Sequence, residues 1–253
     1  MRKLLFFVYF ICSILISQND NQDNSNRNYL LSINHSFQIP SGDLKNRFGN
    51  NSDISISLIY KNSKNLIIQF EGGGLFGPTV KETDLFDPIN GDNGVLISQN
   101  GEIPIIRLFE RGGHMDLSLG KYFKLKSVKN NSGIVLSVGA GYLYHKIFIE
   151  TITTELPQLN DELIKGYDRL SGGVLIKEFL GYFYFSKTNN IRFLIGLEAI
   201  QAFTKDLRNY SYTNQSYIND DRRDYLIGIK CGLIIQLKKL KAGQLHKLNI
   251  EIK

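Results

Sequence analysis

The chain has 253 residues with 30 Lys and Arg against 24 Asp and Glu, a formal net charge of +6. Its basic residues are dispersed, with no cluster beyond Lys238, Lys239 and Lys241, so a nucleic-acid partner has no support. Its two cysteines are Cys12, in an N-terminal apolar run, and Cys231, so once that run is removed no intramolecular disulfide is possible.

Arg2 and Lys3, the thirteen-residue apolar run Leu4 to Ile16 and the small residue Ser17 read as a cleavable secretory signal, residues 1–17. The run is too short for a membrane-spanning helix, which needs about twenty apolar residues. Cys12 follows Phe10 and Ile11 instead of a small residue, so lipidation is not expected. Loss of Arg2 and Lys3 takes the balance to 28 basic against 24 acidic residues, about +4. Residues 18–28 are rich in Asn and Asp and read as a disordered segment.

From residue 29 to 238 the chain alternates apolar and polar residues in eight stretches, the period of a pleated strand with one apolar face. The first sets Leu31, Ile33, Phe37 and Ile39 against Ser32, Asn34, Ser36 and Gln38, and the second sets Ile54, Ile56, Leu58 and Tyr60 against Ser55, Ser57 and Lys61. Leu66, Ile68 and Phe70 then oppose Gln69, Glu71 and Gly73, and Met115, Leu117, Leu119 and Phe123 oppose Asp116, Ser118, Gly120 and Tyr122. The fifth stretch places Leu136, Val138, Ala140, Tyr142 and Tyr144 opposite Ser137, Gly139, Gly141 and His145. The sixth, Gly173 to Ser186, carries aromatics on both faces, and its outward set is read as Leu180, Tyr182 and Tyr184. The seventh opposes Phe193, Ile195, Leu197 and Ala199 to Arg192, Gly196 and Glu198. The eighth runs from Tyr225 to Leu237 with Gly228, Lys230, Gly232 and Gln236 on its other face.

The connectors alternate in length: Ser41 to Ser52, Asn62 to Asn65, Gly77 to Gly113, Lys126 to Gly133, Glu150 to Leu170, Lys187 to Asn190 and Thr204 to Arg223. Long, short, long, short is the rhythm of an antiparallel up-and-down transmembrane β-barrel, with long extracellular loops and short periplasmic turns. A soluble sandwich or lipocalin-like barrel, apolar side inward, is the rival architecture. Against it stand the glycines and charges of the inward sets. Aromatics also gather towards strand ends: Tyr142, Tyr144, Phe203 and Tyr225 on the long-loop side, and Tyr60, Phe123, Tyr184 and Phe185 on the other. An even strand number places both termini in the periplasm. Lys239 to Lys253 form a basic tail, within which Leu245, Leu248, Ile250 and Ile252 leave open one further strand.

An eight-stranded barrel is filled by side chains, and Glu71, Asp116, Arg192, Glu198 and Lys230 are expected to pair within its lumen. A gated narrow conduit is the functional alternative for these charges. No HExxH, paired CxxC or phosphate-loop pattern is present, so no metal and no cofactor is expected. Asp84, Asp87, Asp92, Asp220 and Asp221 lack the spacing of a calcium loop. His114 and His145 with Glu150 are the nearest approach to a catalytic group, converging at the rim. The Gly72-Gly73-Gly74 run is expected where backbone and side chains crowd. The loops are the candidate binding elements. The second, 37 residues by this reading, is expected to fold over the barrel mouth on apolar anchors that include Phe86 and Phe109. Tyr167, Asp168 and Arg169 in the third supply an aromatic and an ion-pairing couple suited either to locking a loop to its neighbour, the favoured reading, or to gripping a partner.

Several of these segments resemble small outer-membrane β-barrel proteins of the Bacteroidetes: Ile39 to Leu44 with Arg47-Phe48-Gly49, Glu82 to Phe86, Arg107 to Gly112, Lys165 to Leu170, and Phe179 with Gly181-Tyr182. The likeness spans nearly the whole mature chain. It implies an eight-stranded outer-membrane barrel and, by analogy with PorT-like members, an accessory role in type 9 secretion or gliding. It carries over no catalytic residues. The leading expectation is therefore a non-enzymatic barrel, in contact with outer-membrane lipid, whose loops engage a protein or surface glycan. A narrow channel and a lipid-modifying enzyme are the alternatives.

Overall fold

The computed structural model describes residues 28–91, 94–125, 132–152, 156–185, 192–218 and 220–237. The signal segment, most of the segment before the first strand, the basic tail, and the connector Lys187 to Asn190 lie outside the described residues. Eight long strands form the wall: β1 (Asn28–Gly42), β2 (Asn51–Lys61), β3 (Leu66–Gly77), β4 (Ile106–Lys124), β5 (Gly133–Thr151), β6 (Ser171–Phe185), β7 (Arg192–Asp206) and, after a short ribbon of β8 (Tyr210–Ser211) and β9 (Ser216–Tyr217), β10 (Asp221–Leu237). Each pairs antiparallel with its chain neighbours, and β1 closes on β10 from Tyr29 opposite Leu237 to Gly42 opposite Asp224. The wall is thus an all-β, eight-stranded antiparallel up-and-down barrel without a free edge.

The strand period of two settles what each side chain faces. Ile33, Phe37, Ile54, Leu58, Met115, Leu117, Leu197, Ile227 and Leu233 all stand outward and exposed, Met115 by 59% and Leu117 by 55%. On β6 the outward residue Leu180 and the buried Phe179 and Phe183 fix the facing that aromatics on both sides had obscured. Polar residues interrupt the outward belt, Gln201 on β7 among them. His35 and Cys231 sit opposite each other on β1 and β10, and Glu178 lies midway along β6 with its Oε1 lacking a hydrogen-bond partner.

The interior is layered. At the short-turn end Leu30, Ile59, Ile67, Tyr122, Val135, Phe179, Phe183, Leu194 and Ile234 pack together. The middle is polar and charged. At the loop end Leu75, Leu143, Ile147, Leu175, Ile200, Ala202 and Leu226 meet Leu44 and Phe48, both fully buried. These last two are carried inward by α1 (Leu44–Arg47), a single turn that enters the mouth. Gly42 makes that entry possible: its φ is +63°, and a Cβ there would lie 2.3 Å from the Arg223 carbonyl oxygen.

The strands run further than the alternation indicated. The second long connector spans residues 78–105, not Gly77 to Gly113, because Arg107 to Gly112 continue β4 against Glu150 to His145 of β5. Gly112 and Gly113, placed at the end of that connector, sit in the ladder where space is short, a Cβ on Gly112 falling 2.4 Å from the Tyr144 carbonyl oxygen. Phe109 is accordingly in the wall and not in a loop. The first, third and fourth long connectors shorten to 43–50, 152–170 and 207–220, and the last contains the unforeseen β8–β9 ribbon. Phe185, assigned to the outer aromatic girdle, packs instead against the inner apolar layer at the turn end.

Candidate functional site

Charged side chains from five strands meet in the middle layer. Lys177 on β6 donates to Glu71 on β3 and to Asp116 on β4, each at 2.6 Å. Lys230 on β10 donates to Glu71 at 2.5 Å and to Glu198 on β7 at 2.6 Å. Ser57 and Gln69 also donate to Glu71, at 2.5 and 2.9 Å, and Gln38 donates to Glu198 at 3.1 Å. Each of these five ions is held by at least two partners, the condition under which charge survives away from water. His114 lies between Asp116 and Asp53, a ring nitrogen 3.1 Å from each. Gly73 is the residue that leaves room for it, since a Cβ there would stand 2.7 Å from the His114 Nε2.

Above this lumen the loops form an interlocked cap. Arg47 in the first loop donates through Nε to Glu82 in the second at 2.8 Å, and through Nη1 to the Arg169 carbonyl and the Ser171 hydroxyl at 3.0 Å each. Burial, reinforced by the nearby Arg222, lowers the Arg47 guanidinium from its ordinary range, and Glu82 opposes that shift. Arg169 reaches the other oxygen of Glu82 at 2.9 Å and Ser211 in the fourth loop at 2.9 Å. Its φ of +49° is an uncommon conformation for an arginine. Arg208 grips both oxygens of Asp168, at 3.0 and 2.6 Å. That fork raises the Arg208 guanidinium further.

Aromatic rings run through the same junction, with Phe86 to Tyr167 at 5.6 Å, Tyr167 to Tyr212 at 5.5 Å and Tyr212 to Tyr210 at 5.8 Å between centroids. Gly166 lies against Tyr212, whose ring leaves no space for a Cβ. Burial pushes the Tyr167 phenol up from its usual range. Leu85, Leu96, Leu156 and Leu159 close the cap onto Leu44 and Phe48, so loop cap and upper lumen share one apolar core. An open polar cavity of about 350 Å³ remains at the rim, bordered by Arg47, Arg169, Arg222, Glu82, Asp206 and Asp220.

Glu71, Asp116, Glu198 and Lys230 thus lie together in the lumen. Arg192 stands apart at the turn end of β7 and makes no ion pair among the described residues. The cation that stands beside Lys230 is Lys177, whose inward parity was masked by the aromatics of β6. Tyr167 and Asp168 are buried in the junction of the loops, and Phe86 packs on Tyr167. The histidines do not converge at the rim. His114 and His145 both face the lumen, His145 paired with Asp224 at 2.9 Å, while Glu150 is on the outer face. Among the described residues the group with metal-ligand spacing is Asp53, Glu71 and His114, with ligand atoms within 4.8 Å of one another, and not the loop carboxylates. Hydrogen bonds and ion pairs already occupy Glu71 and His114.

Fold and site together define a small closed barrel with a filled lumen and an interlocked cap on one end. No family model matches the chain, and no curated protein does. Among solved structures it is similar to Neisserial surface protein A, at 9% identity over 85% of this chain and 99% of that one, with a TM-score of 0.44. It is also similar to Ail, the attachment invasion locus protein of Yersinia pestis, at 9% identity over 83% and 99% with a TM-score of 0.39. A third is the N-terminal β-barrel domain of Pseudomonas aeruginosa OprF, at 10% identity over 83% and 100% with a TM-score of 0.36.

Proposed function

We propose that the protein is an integral outer-membrane barrel without enzymatic activity, whose loop cap serves as a structural and interaction surface outside the cell. One observation carries the reading: a closed barrel turns a ring of large apolar side chains outward while the charged cluster of its middle layer is enclosed. In water such a belt far exceeds the few hundred Å² of apolar patch that soluble monomers expose. In hydrocarbon it is the favourable arrangement, and closure leaves the ring of strands without an open edge.

The filled lumen supports interaction over transport. Apolar layers seal the charged middle from both ends, so solute would have to displace packed side chains such as Phe48 and Phe183. It argues equally against catalysis by the buried histidines, since His145 lies under Phe48 at 5.6 Å between rings. The accessory role in secretion or gliding comes from the resemblance to PorT-like barrels, and co-isolation with secretion components from solubilised membranes is its test. The membrane reading is tested by refolding the mature chain with and without detergent. It is expected to be monodisperse only with detergent, to shift its gel mobility on heating and to show no discrete conductance in planar bilayers. A monodisperse folded protein in plain buffer refutes it.

A further inference from the structure

Two cations stand side by side on the outer wall without a counter-ion. Arg111 of β4 is directly opposite Lys146 of β5, and both point outward. Like charges at such a cross-strand position repel. No carboxylate lies within ion-pairing distance of either among the described residues. The outward carboxylate of this region, Glu150, is opposite Arg107, four residues further along. Arg111 is nevertheless held in place: its guanidinium lies 5.5, 5.1 and 5.7 Å from the ring centres of Phe76, Phe109 and Phe148, and its Nη1 donates to the Glu110 carbonyl at 2.8 Å. An aromatic cage that fixes a guanidinium removes much of the entropy loss on binding an anion.

The height of the pair is telling. Outward along β4, Leu119, Leu117, Met115 and Gly113 separate Lys121 at the turn end from Arg111 at the loop end. Ten residues at about 3.3 Å each, tilted by about 40°, rise about 25 Å, the height of the apolar band of a transmembrane barrel. Arg111 and Lys146 therefore lie at the level of lipid headgroups, with Phe76 level with Arg111 and the Phe109–Phe148 pair two residues further toward the loops. Resting on the membrane reading above, we propose that this pair binds the phosphate of an anionic lipid headgroup in the leaflet on the loop side. The phosphate bridges the guanidinium and the ammonium while the acyl chains lie against the apolar wall below.

The full-length protein inserted into vesicles of phosphatidylcholine, with or without one-fifth phosphatidylglycerol, provides the test. Insertion is read from heat-modifiable gel mobility and retained lipid from native mass spectrometry after detergent release. Preferential retention of phosphatidylglycerol is expected, falling about fivefold in Lys146→Gln and further in Arg111→Gln/Lys146→Gln, with insertion unchanged. Lys165→Gln, on the exposed cap, is the charge control and should leave retention intact. The single variant preserves the aromatic cage should the double one fold poorly. Equal retention in wild type and Lys146→Gln overturns the proposal while leaving the membrane reading standing. Loss of the bound lipid to millimolar inorganic phosphate also overturns it, since the site then takes a free anion. Failure to insert into either vesicle removes the membrane reading, and the headgroup site with it.

Discussion

Replacing Lys230 by methionine removes the ammonium shared by Glu71 and Glu198, at 2.5 and 2.6 Å, and keeps most of the side-chain volume. Glu71 retains Lys177, but Glu198 is left with Gln38 at 3.1 Å and with Lys177 at 3.9 Å, beyond a good hydrogen bond. The carboxylates Glu71, Glu198, Asp116 and Asp53 then face a single lysine and His114 in a layer capped by hydrocarbon on both sides. Breaking a buried pair from one side costs about 3–5 kcal/mol, mostly the cost of a stranded charge. Removing that charge as well should recover much of it, so Lys230→Met/Glu198→Gln is expected to be less destabilised than Lys230→Met by about 2 kcal/mol. Unfolding in urea from lipid vesicles, followed by the shift between heat-modifiable gel forms, measures both. A Lys230→Met barrel within about 1 kcal/mol of wild type, or a double variant weaker than the single one, refutes the idea that this lysine neutralises a dry carboxylate pair.

Three further outcomes follow from the cap and the belt. Gly166→Ala places a methyl group into the Tyr212 ring, and overpacking of this kind costs about 1–3 kcal/mol; proteases should cut the third and fourth loops faster while the barrel's own unfolding midpoint holds. Arg208→Ala leaves the buried Asp168 without its fork, a loss of about 1–3 kcal/mol confined to the cap, and limited proteolysis between residues 152 and 170 should accelerate about tenfold or more. Glu178→Leu exchanges an outward-facing carboxyl with an unpartnered oxygen for an apolar side chain, and on the proposed membrane reading should stabilise the barrel in bilayers by about 1 kcal/mol or more; a fall in stability would show that Glu178 has a partner there.

Much of the wall was legible because a period of two needs no long-range information. Ile33 outward and Asn34 inward follow from the pleat alone once one face is apolar. Where the rule failed, something other than period decided. Phe179 and Phe183 balanced Tyr182 and Tyr184 on β6, so Lys177 escaped notice although its parity matched Phe179. Gly112 and Gly113 were placed in the connector before β4, but they belong to the strand, where the neighbouring strand leaves room for glycine only. Glu71, Asp116, Glu198 and Lys230 were legible as enclosed charges because enclosed charges need partners. Arg192 shared their parity but not their height, and parity carries no information about depth. The cap was the least legible part, since the contacts of Glu82 with Arg47 and Arg169 join loops 35 and 87 residues apart in sequence.

The origin of the central charges bears on how the cylinder is sealed. Glu71 and Glu198 belong to strands laid down before β10, and their shared ammonium, Lys230, arrives only with that final strand. Asp224, the partner of His145, comes on the same strand. Until the seam between β1 and β10 zips, the half-built sheet carries an excess of anions on its concave side, and water must stay to solvate them. Joining first strand to last is therefore also the moment of neutralisation, and hydration can leave the interior only when the ring is whole.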